Sequence, residues 1–210
     1  MKVLAINGSP HEKGCTYTAI QLITEELMQQ GIDTEIVHIG TQAIRGCIAC
    51  KRCKQTEGEI HCLGTQDDIV NVCIEKSRSA DGIILASPVH FAGIAGSMKA
   101  FLDRFFYAGG RERMKNKVGL SVVSLRRAGG VNTFQQLNQY LLYANMPIAS
   151  SDYWNVIHGT TPEEVIQDLE GVHVLKNAAR NMAWLLQALE RCPEELRPVL
   201  QAHPFTNFIR

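Results

Sequence analysis

Short apolar runs alternate with segments of helical periodicity along this 210-residue chain, and this alternation constrains the fold more than any other feature. The first run, "KVLAIN", ends in "GSP", and the third, "DGIILASP", ends in Ser-Pro, as is typical where a buried parallel strand leads into a turn. Alternating strands and helices predict an α/β fold, a doubly wound parallel sheet with helices on both faces. The predicted strands are residues 2–7, 33–39, 81–88, 117–124 and 146–154.

The length and organisation of the chain indicate one domain. A chain of 210 residues is long enough for one α/β domain with a sizeable core and short for two. Residues 41–65 show no sustained periodicity and contain four of the seven cysteines, so we read them as a long connection, a type that is usually functional. We therefore predict a single domain over residues 1–192, with a cysteine-rich insert at 41–65 and a C-terminal tail at 193–210.

The composition excludes several classes of partner. Lys+Arg and Asp+Glu balance at 21 each, which gives no electrostatic attraction to nucleic acid or to an anionic membrane, and we expect neither as a partner. The first apolar run is too short for the core of a signal peptide, and no run of about 18 apolar residues occurs, so we expect a cytoplasmic protein. In a reducing compartment, seven unevenly spaced cysteines are thiols, packing residues or ligands rather than a disulfide framework.

The turn after the first strand, "NGSPHEKGCTYTA", has the character of a phosphate site. Sheets of this type bind ligands outside the carboxyl ends of their strands. Ser9, Gly14, Thr16 and Thr18 lie between a strand and a helix N-terminus, where free backbone N–H groups favour an anion. The turn is neither a Walker A loop nor G-x-G-x-x-G, since Lys13 precedes Gly14. A hydroxyl-rich loop without that lysine suits a phosphomonoester such as that of FMN; the alternative is an ordinary strand–helix turn with a capping Thr.

The turn after the third strand is apolar and contains glycine. Pro88, Val89, His90, Phe91 and Gly93 are predicted to form a loop that lies along a flat aromatic ring, with backbone groups donating to ring heteroatoms. His90 is the candidate proton donor if an organic molecule is reduced, although a histidine in such a loop is more often solvated or packed.

The turn after the fourth strand, "SLRRAGGVNTF", carries cationic charge. Arg126 and Arg127 precede two glycines, Gly129 and Gly130, at the same predicted sheet edge, shortly after Ser124. The arginines would stabilise the anionic form of a reduced flavin or attract the phosphates of a nicotinamide cofactor. Exposed loop arginines are otherwise simply solvated.

Several segments together resemble a known family. "NGSPHEKGCTYT", "ADGIILASPVHF", "GSMKAFLDRFF" and "RRAGG" are similar to the NADPH-dependent FMN reductase family of flavodoxin-like proteins, especially its iron–sulfur flavoprotein branch. The resemblance implies a flavodoxin-like three-layer sandwich with a five-stranded parallel sheet of order 2-1-3-4-5, and non-covalent FMN. It also implies a homodimer or homotetramer, because members commonly pair with their flavins near the interfaces.

The resemblance also implies which residues hold the flavin. The phosphate would bind Ser9, Thr16, Thr18 and the backbone of Cys15, and the ring would rest on residues 88–93 and 124–130. Two positions depart from the family pattern, since Cys15 stands where the family often has Asn and His90 where it usually has Tyr. The candidate cofactor-binding residues are therefore Ser9, Pro10, Gly14, Cys15, Thr16, Thr18, Pro88, Val89, His90, Phe91, Gly93, Ser124, Arg126, Arg127, Gly129 and Gly130.

The cysteine segment "GCIACKRCKQTEGEIHC" predicts a metal site. Cys47, Cys50 and Cys53 are spaced C-x₂-C-x₂-C, which lets three thiolates converge on one face of a [4Fe-4S] cluster, and Cys62 is the candidate fourth ligand. The resemblance points to the same cluster, although the eight residues between Cys53 and Cys62 exceed the spacing usual in that branch. A zinc site is less typical of a triple run, and the four cysteines could instead be free thiols or form a reversible disulfide.

These features together predict an FMN-dependent oxidoreductase. Electrons would pass from NAD(P)H through the flavin to a small-molecule or protein acceptor, such as a quinone, a free flavin or an aromatic compound. One alternative is an electron carrier that receives electrons from ferredoxin through the cluster and has no NAD(P)H site of its own. Another is a binding module on the same fold without a flavin.

Overall fold

The secondary structure follows the predicted alternation of strands and helices. The computed structural model describes residues 1–55, 61–65, 67–199, 201 and 206. Its elements are β1 (Lys2–Asn7), α1 (Cys15–Gln29), β2 (Asp33–His38), a 3₁₀ turn (Arg52–Lys54), α2 (Ile69–Arg78), β3 (Gly82–His90), β4 (Gly93–Ile94), α3 (Gly96–Met114), β5 (Val118–Leu125), α4 (Gly130–Tyr143), β6 (Val156–His158), α5 (Pro162–Val165), α6 (Leu169–Glu190) and a second 3₁₀ turn (Glu194–Leu196).

The sheet has the predicted topology. Within the described residues, the strand order is β2-β1-β3-β5-β6, and every neighbouring pair in that order is parallel. The short β4 pairs antiparallel with the end of β3 and stands outside this order. Without β4, the order is the predicted 2-1-3-4-5. The carboxyl ends of β1, β3 and β5 are therefore adjacent, which places the turns that follow them at one edge of the sheet.

Helices cover both faces of the sheet, and each face has its own core. Alternate residues of β1 point to opposite faces: Leu4 and Ile6 contribute to one core, and Val3 and Ala5 to the other. Helices α2, α3 and α4 cover the first face, and α1 and α6 cover the second. The first core contains aliphatic and aromatic side chains and the second contains aliphatic side chains and Met182, so the central strands are hydrophobic on both faces, as a parallel sheet requires.

The prediction for the fifth strand was wrong in position. Residues 146–154 contribute only one isolated bridge, between Ile148 and Gly119, and the edge strand is Val156–His158. Just before this strand, the side-chain amide of Asn155 donates to the carbonyl of Ser121 on β5 at 3.1 Å, where an edge strand would otherwise place a backbone N–H. The intervening segment leaves the sheet and exposes Tyr153 and Trp154.

The turn after the third strand also differs from the predicted loop. Strand β3 continues through His90 and folds back on β4 as a tight hairpin. The two turn residues, Phe91 and Ala92, both have left-handed backbone angles, with φ of 48° and 59°. Two-residue hairpin turns favour positive φ at both positions, which usually selects Asn and Gly, so this turn is strained.

The second helix, α2, has a side-chain cap at its N-terminus. Asp68 precedes the helix, and its side chain accepts from the backbone N–H of Val70. Residues 56–60 of the predicted 41–65 insert, and most of the end of the predicted tail, lie outside the described residues. No helix in the described part of the chain combines the length and the apolar character needed to cross a membrane.

Candidate functional site

The three ligand-type turns meet at the carboxyl edge of the sheet. The first turn is tied to the end of β3 by the N–H of Gly8, which donates to the carbonyl of Ala86 at 2.9 Å. It is tied to the third turn by a buried hydrogen bond of 2.7 Å between the hydroxyls of Thr16 and Ser124. The side-chain amide of Asn132 donates to the carbonyl of Ala92, which joins the third turn to the hairpin. The residues predicted from three separate segments therefore form one site.

The first turn is rigid because its own polar groups hold it. Asn7, fully buried at the end of β1, accepts from the N–H of Ser9 at 3.1 Å and donates to the carbonyl of Glu12 at 3.0 Å. The hydroxyl of Ser9 accepts from the N–H of His11. From the β2 side, Gly40 packs so closely that a Cβ there would lie 1.7 Å from the carbonyl oxygen of Ser9. Only glycine fits at that position.

The N-terminus of α1 is free to bind an anion. Its N-cap, Gly14, supplies no side-chain cap, and no acidic residue lies in the first turn. The first N–H groups of a helix have no partner within the helix and carry the positive end of its dipole. The buried hydroxyls of Ser9 and Thr16 lie beside this terminus. This combination of uncapped N–H groups and neutral hydroxyls fits the phosphate monoester of FMN.

Cys15 presents its backbone to this terminus. Its half-buried thiol donates to the carbonyl of Gly159, with the sulfur 3.6 Å from the oxygen. Burial raises the pKa of the Cys15 thiol, a backbone hydrogen bond lowers it, and the nearby Glu164 and Glu163 raise it further. The side chain is thus a neutral packing group. The backbone N–H of Cys15 remains a donor at this position, as that of an Asn would.

The hairpin presents an aromatic side chain above the sheet edge. Phe91 is fully exposed, and His90 beside it is also exposed, while Pro88 and Val89 are half-buried. The hydroxyl of Ser87 anchors the base of the hairpin by accepting from the N–H of Ala95 at 3.0 Å. The strained turn therefore holds an exposed ring on a fixed support.

The third turn borders a cavity at this edge of the sheet. Ser124 is buried, whereas Arg126 and Arg127 are exposed. Gly129 has φ of 91°, and a Cβ there would lie 2.7 Å from the Cα of Ala92, so the third turn presses on the hairpin. Beyond it lies a cavity of about 370 Å³, whose lining includes Arg127, Gly129, Tyr153, Trp154 and His158.

Three of the residues predicted to bind the flavin lie at the margin of the site. Pro10 is exposed at the tip of the first turn. The hydroxyl of Thr18 lies 3.4 Å from the carbonyl of Gly14, to which it donates within the helix. Gly130 is buried at the start of α4 against Val156. The structure therefore places the hydroxyls of Ser9, Thr16 and Ser124 at the centre of the site and these three at its margin.

All four predicted metal-ligating cysteines line one small cavity beside α3, together with Arg104 and Tyr107. Ala49 and Lys51, on either side of Cys50, both have left-handed backbone angles, with φ of 52° and 59°, and these fold the run into a tight loop. The sulfur of Cys50 packs near Gly64, two residues beyond Cys62 in the chain. Four thiols are the type and number of donors that a [4Fe-4S] cluster takes. In the described ranges, however, no three His, Cys, Asp or Glu side chains stand close enough together to hold a metal ion.

The electrostatics of this cavity are mixed. Burial raises the pKa of the Cys53 thiol, the adjacent Lys54 lowers it, and Cys62 and Cys47 raise it again. Cys47 and Cys50 are exposed, whereas Cys53 and Cys62 are half-buried. Cys53 is therefore near enough to both Cys47 and Cys62 for their charges to affect its pKa.

A buried arginine on α3 closes the cavity. Only 1% of Arg104 is exposed, and its guanidinium forms an ion pair with Asp68, whose side chain is 6% exposed. Its Nε–H donates to the sulfur of Cys62 at 3.2 Å. Burial alone would lower the pKa of Arg104, but hydrogen bonds to Asp68 and Cys62 outweigh burial and raise it. Arg104 is therefore a permanent cation at the edge of the thiol group.

Sequence comparison decides the family. The sequence pattern described as NADPH-dependent FMN reductase matches residues 1–161. The chain belongs to this family. An iron-sulfur flavoprotein of Archaeoglobus fulgidus is 31% identical to it over 207 residues, with 94% of this chain and 99% of the relative covered. An iron-sulfur flavoprotein of Methanocaldococcus jannaschii is 28% identical over 198 residues, with 91% and 100% covered.

The fold of this family member is flavodoxin-like, as predicted. A solved structure of a flavodoxin from the domain Archaea superposes with a TM-score of 0.59 at 12% identity, and the match covers 89% of this chain and 99% of that one. Membership of the FMN reductase family supports FMN as the cofactor, and the turns described above supply a binding site of matching chemistry.

Several residues that build the site were missed by sequence reasoning. Gly40 contacts the first turn and Asn132 contacts the hairpin, each from a distant part of the chain. No local sequence pattern indicates such contacts. Asn71, which holds the backbone of Cys62, is likewise unremarkable in sequence. Arg104 did carry a signal, because it lies on the apolar stripe of α3 with Phe101 and Phe105, where a charged residue needs a buried partner.

Proposed function

We propose that this protein is an FMN-dependent oxidoreductase that accepts electrons from NAD(P)H and passes them to a small organic or protein acceptor, with a [4Fe-4S] cluster held by Cys47, Cys50, Cys53 and Cys62. The observation that carries the proposal is the convergence of the three turns, joined by the buried Thr16–Ser124 hydrogen bond beside an uncapped helix. Family membership supports the flavin and the class of reaction.

Bound FMN supplies the hydride and single-electron chemistry, so no acid or base of the protein is obligatory for its reduction. The chain's own residues would bind the FMN and orient its ring. Ser9, Thr16 and the first N–H groups of α1 would hold the phosphate, and the hairpin with Phe91 would support one side of the ring. Arg126 and Arg127 are exposed and would turn toward negative charge, and His90 would donate a proton to an organic acceptor.

The names of the relatives support the cluster. The two iron-sulfur flavoproteins match nearly the whole of this chain, and the four thiols line one cavity here. The same features support the second candidate function, an electron carrier reduced by ferredoxin rather than by NAD(P)H.

The binding site is tested with Thr16→Val, which removes the buried hydroxyl but keeps the shape of the side chain. The Thr16 hydroxyl would bind the phosphate, and a hydrogen bond to a charged group contributes about 1.5–3 kcal/mol, so FMN affinity should fall at least about tenfold. Thr24→Val is the matched control, because Thr24 lies on the same helix and its hydroxyl donates to Gln21 away from the site. Equal FMN affinity of the two variants, measured by fluorescence titration, would contradict the site.

The reaction is tested by anaerobic spectroscopy with iron and flavin assays. Rapid bleaching of the flavin absorption by NADPH is the expected result. Bleaching by reduced ferredoxin alone would overturn the reductase in favour of the carrier. A Cys50→Ser protein whose spectrum and iron content match those of the unmutated protein would exclude the cluster.

A further inference from the structure

The four cysteines of the cavity are brought together in two different ways. Cys47, Cys50 and Cys53 lie within one tight run, where the left-handed residues Ala49 and Lys51 turn the backbone. Cys62 follows that run after eight intervening residues and lines the same cavity. The local backbone conformation therefore explains the positions of three thiols. The position of Cys62 has to be fixed by contacts from the rest of the fold.

The guanidinium of Arg104 spans both ends of the cysteine segment. Its Nη1 donates to the carbonyl of Arg45, just before the run, at 3.2 Å, and its Nη2 donates to the carbonyl of Thr65, just after Cys62, at 2.6 Å. Nη1 also pairs with Asp68, and Nε donates to the sulfur of Cys62. Among the described residues, four of the five guanidinium hydrogens thus have partners, and two of these partners, Cys62 and Thr65, line the cysteine cavity.

A second side chain fixes the backbone of Cys62. The amide of Asn71 on α2 accepts from the N–H of Cys62 at 2.7 Å and donates to its carbonyl at 3.1 Å. This two-way bond holds the main chain, while Arg104 holds the sulfur. The same α2 helix is capped by Asp68, so the ion pair and the amide act on one rigid element.

We propose that Arg104 is the positioning residue that makes Cys62 the fourth ligand of the cluster, and that its hydrogen bond to the Cys62 sulfur raises the reduction potential of that cluster. This inference rests on the cluster included in the proposed function. It concerns a residue that neither the cysteine spacing nor the names of the relatives indicate.

Two physical effects support the role of Arg104. Partners that hydrogen-bond a ligand orient it, and losing one typically costs 10–100-fold in metal affinity. Hydrogen bonds to the sulfurs also set the potential of an iron–sulfur cluster, because one-electron reduction adds negative charge that the donor stabilises. Lysine would keep the charge but not the planar fork, so it cannot satisfy Arg45, Thr65, Asp68 and Cys62 together.

The experiment compares Arg104→Met and Arg104→Lys with Leu102→Ala. Leu102 is fully buried two residues earlier on α3, so its truncation destabilises the same helix without removing a hydrogen bond to the cavity. Each full-length protein is reconstituted anaerobically and the release of iron to a chelator is timed. We expect release at least tenfold faster from both Arg104 variants, and within twofold of the unmutated rate from Leu102→Ala.

The midpoint potential of the cluster, measured by EPR-monitored titration, separates positioning from stability. It should be lower in Arg104→Met than in the unmutated protein, intermediate in Arg104→Lys, and unchanged in Leu102→Ala. Equal iron release and potential in all four proteins would overturn the inference, as would equal shifts in Leu102→Ala and Arg104→Met. If Arg104→Met does not fold because Asp68 is left unpaired, the double variant Asp68→Asn/Arg104→Met carries the same measurements.

Failure of the cluster itself gives a different result. If the unmutated protein takes up no iron, the cluster in the proposed function is excluded, and the position of Cys62 is read from amide hydrogen exchange of residues 61–65. Faster exchange by about tenfold in Arg104→Met, but not in Leu102→Ala, would support Arg104 as the residue that positions Cys62. Unchanged exchange would overturn it.

Discussion

The phosphate turn after β1 and the cysteine segment after β2 both connect a parallel strand to a helix, yet they are held in opposite ways. The phosphate turn is short, and bonds between near neighbours shape it, since Asn7 and Ser9 bond to residues a few positions away. The cysteine segment is long and largely exposed. Arg104 on α3, 42 residues from Cys62, holds it together with Asn71 on the following helix α2. A short turn can carry its own geometry, whereas a long one has to receive it from tertiary contacts.

The largest effect is expected where the cysteine segment depends on one buried ion pair. Asp68→Ala leaves the buried cation of Arg104 uncompensated and removes the cap of α2, so unfolding free energy should fall by about 3–5 kcal/mol. Urea denaturation measures this loss.

The control for that prediction is Glu35→Ala. Glu35 pairs with Lys2 and Lys76, but these side chains are partly exposed, so the cost should stay below about 1 kcal/mol. If Asp68→Ala and Glu35→Ala lower the free energy of unfolding by similar amounts, the buried Arg104–Asp68 pair contributes no more to stability than an exposed pair.

The next effect is expected at the contact between the two regions. Gly40, shortly after β2, presses on the carbonyl of Ser9, so Gly40→Ala must push the phosphate turn away. We expect a loss of about 3 kcal/mol in stability and a clear loss of bound FMN in the purified protein, because overpacking against backbone cannot relax cheaply.

Gly46→Ala is the matched control, because a Cβ at Gly46 would meet nothing within 4 Å. It should keep both stability and flavin content. Retention of flavin by Gly40→Ala as well would show that the phosphate turn is less rigid than its hydrogen bonds indicate.

The smallest effect concerns the helix beneath the cysteine segment. Cys73 on α2 is fully buried, and burial raises the pKa of its thiol to about 12. A group whose pKa is raised on folding stabilises the fold fully below its unfolded pKa of about 9, and this contribution is lost as the pH rises toward 12. Stability should therefore fall by about 1–2 kcal/mol between about pH 9 and pH 10.5.

This loss of stability at alkaline pH should be smaller in Cys73→Ala. That variant is less stable at neutral pH, but it has no thiol at position 73 to ionise. Cys192→Ala should keep the full pH dependence, because Cys192 lies half-buried at the end of the last helix. Parallel pH profiles in the two variants, from urea unfolding at each pH, would remove Cys73 as the cause.

The fold and the meeting of the three turns at one sheet edge were largely predictable, for physical reasons visible in particular residues. Buried parallel strands are apolar on both faces, so runs such as the one from Val3 to Ile6 stand out. The exception was the edge strand, since an edge strand has little apolar content and the side chain of Asn155 decides where it pairs. The hairpin at Phe91 was missed because its turn lacks the Asn or Gly that such turns favour.

The sequence by itself determined the alternation of strands and helices, the hydroxyl-rich turn at the start of α1 and the run of cysteines, because each depends on residues close together in the chain. Tertiary structure alone decided that Thr16 meets Ser124, that Gly40 presses on Ser9, and that Arg104 reaches Cys62. Those contacts join residues far apart in the chain, and their distances are set by how helices pack on the twisted sheet. The long spacing before Cys62 is thus compensated by a buried guanidinium on another helix.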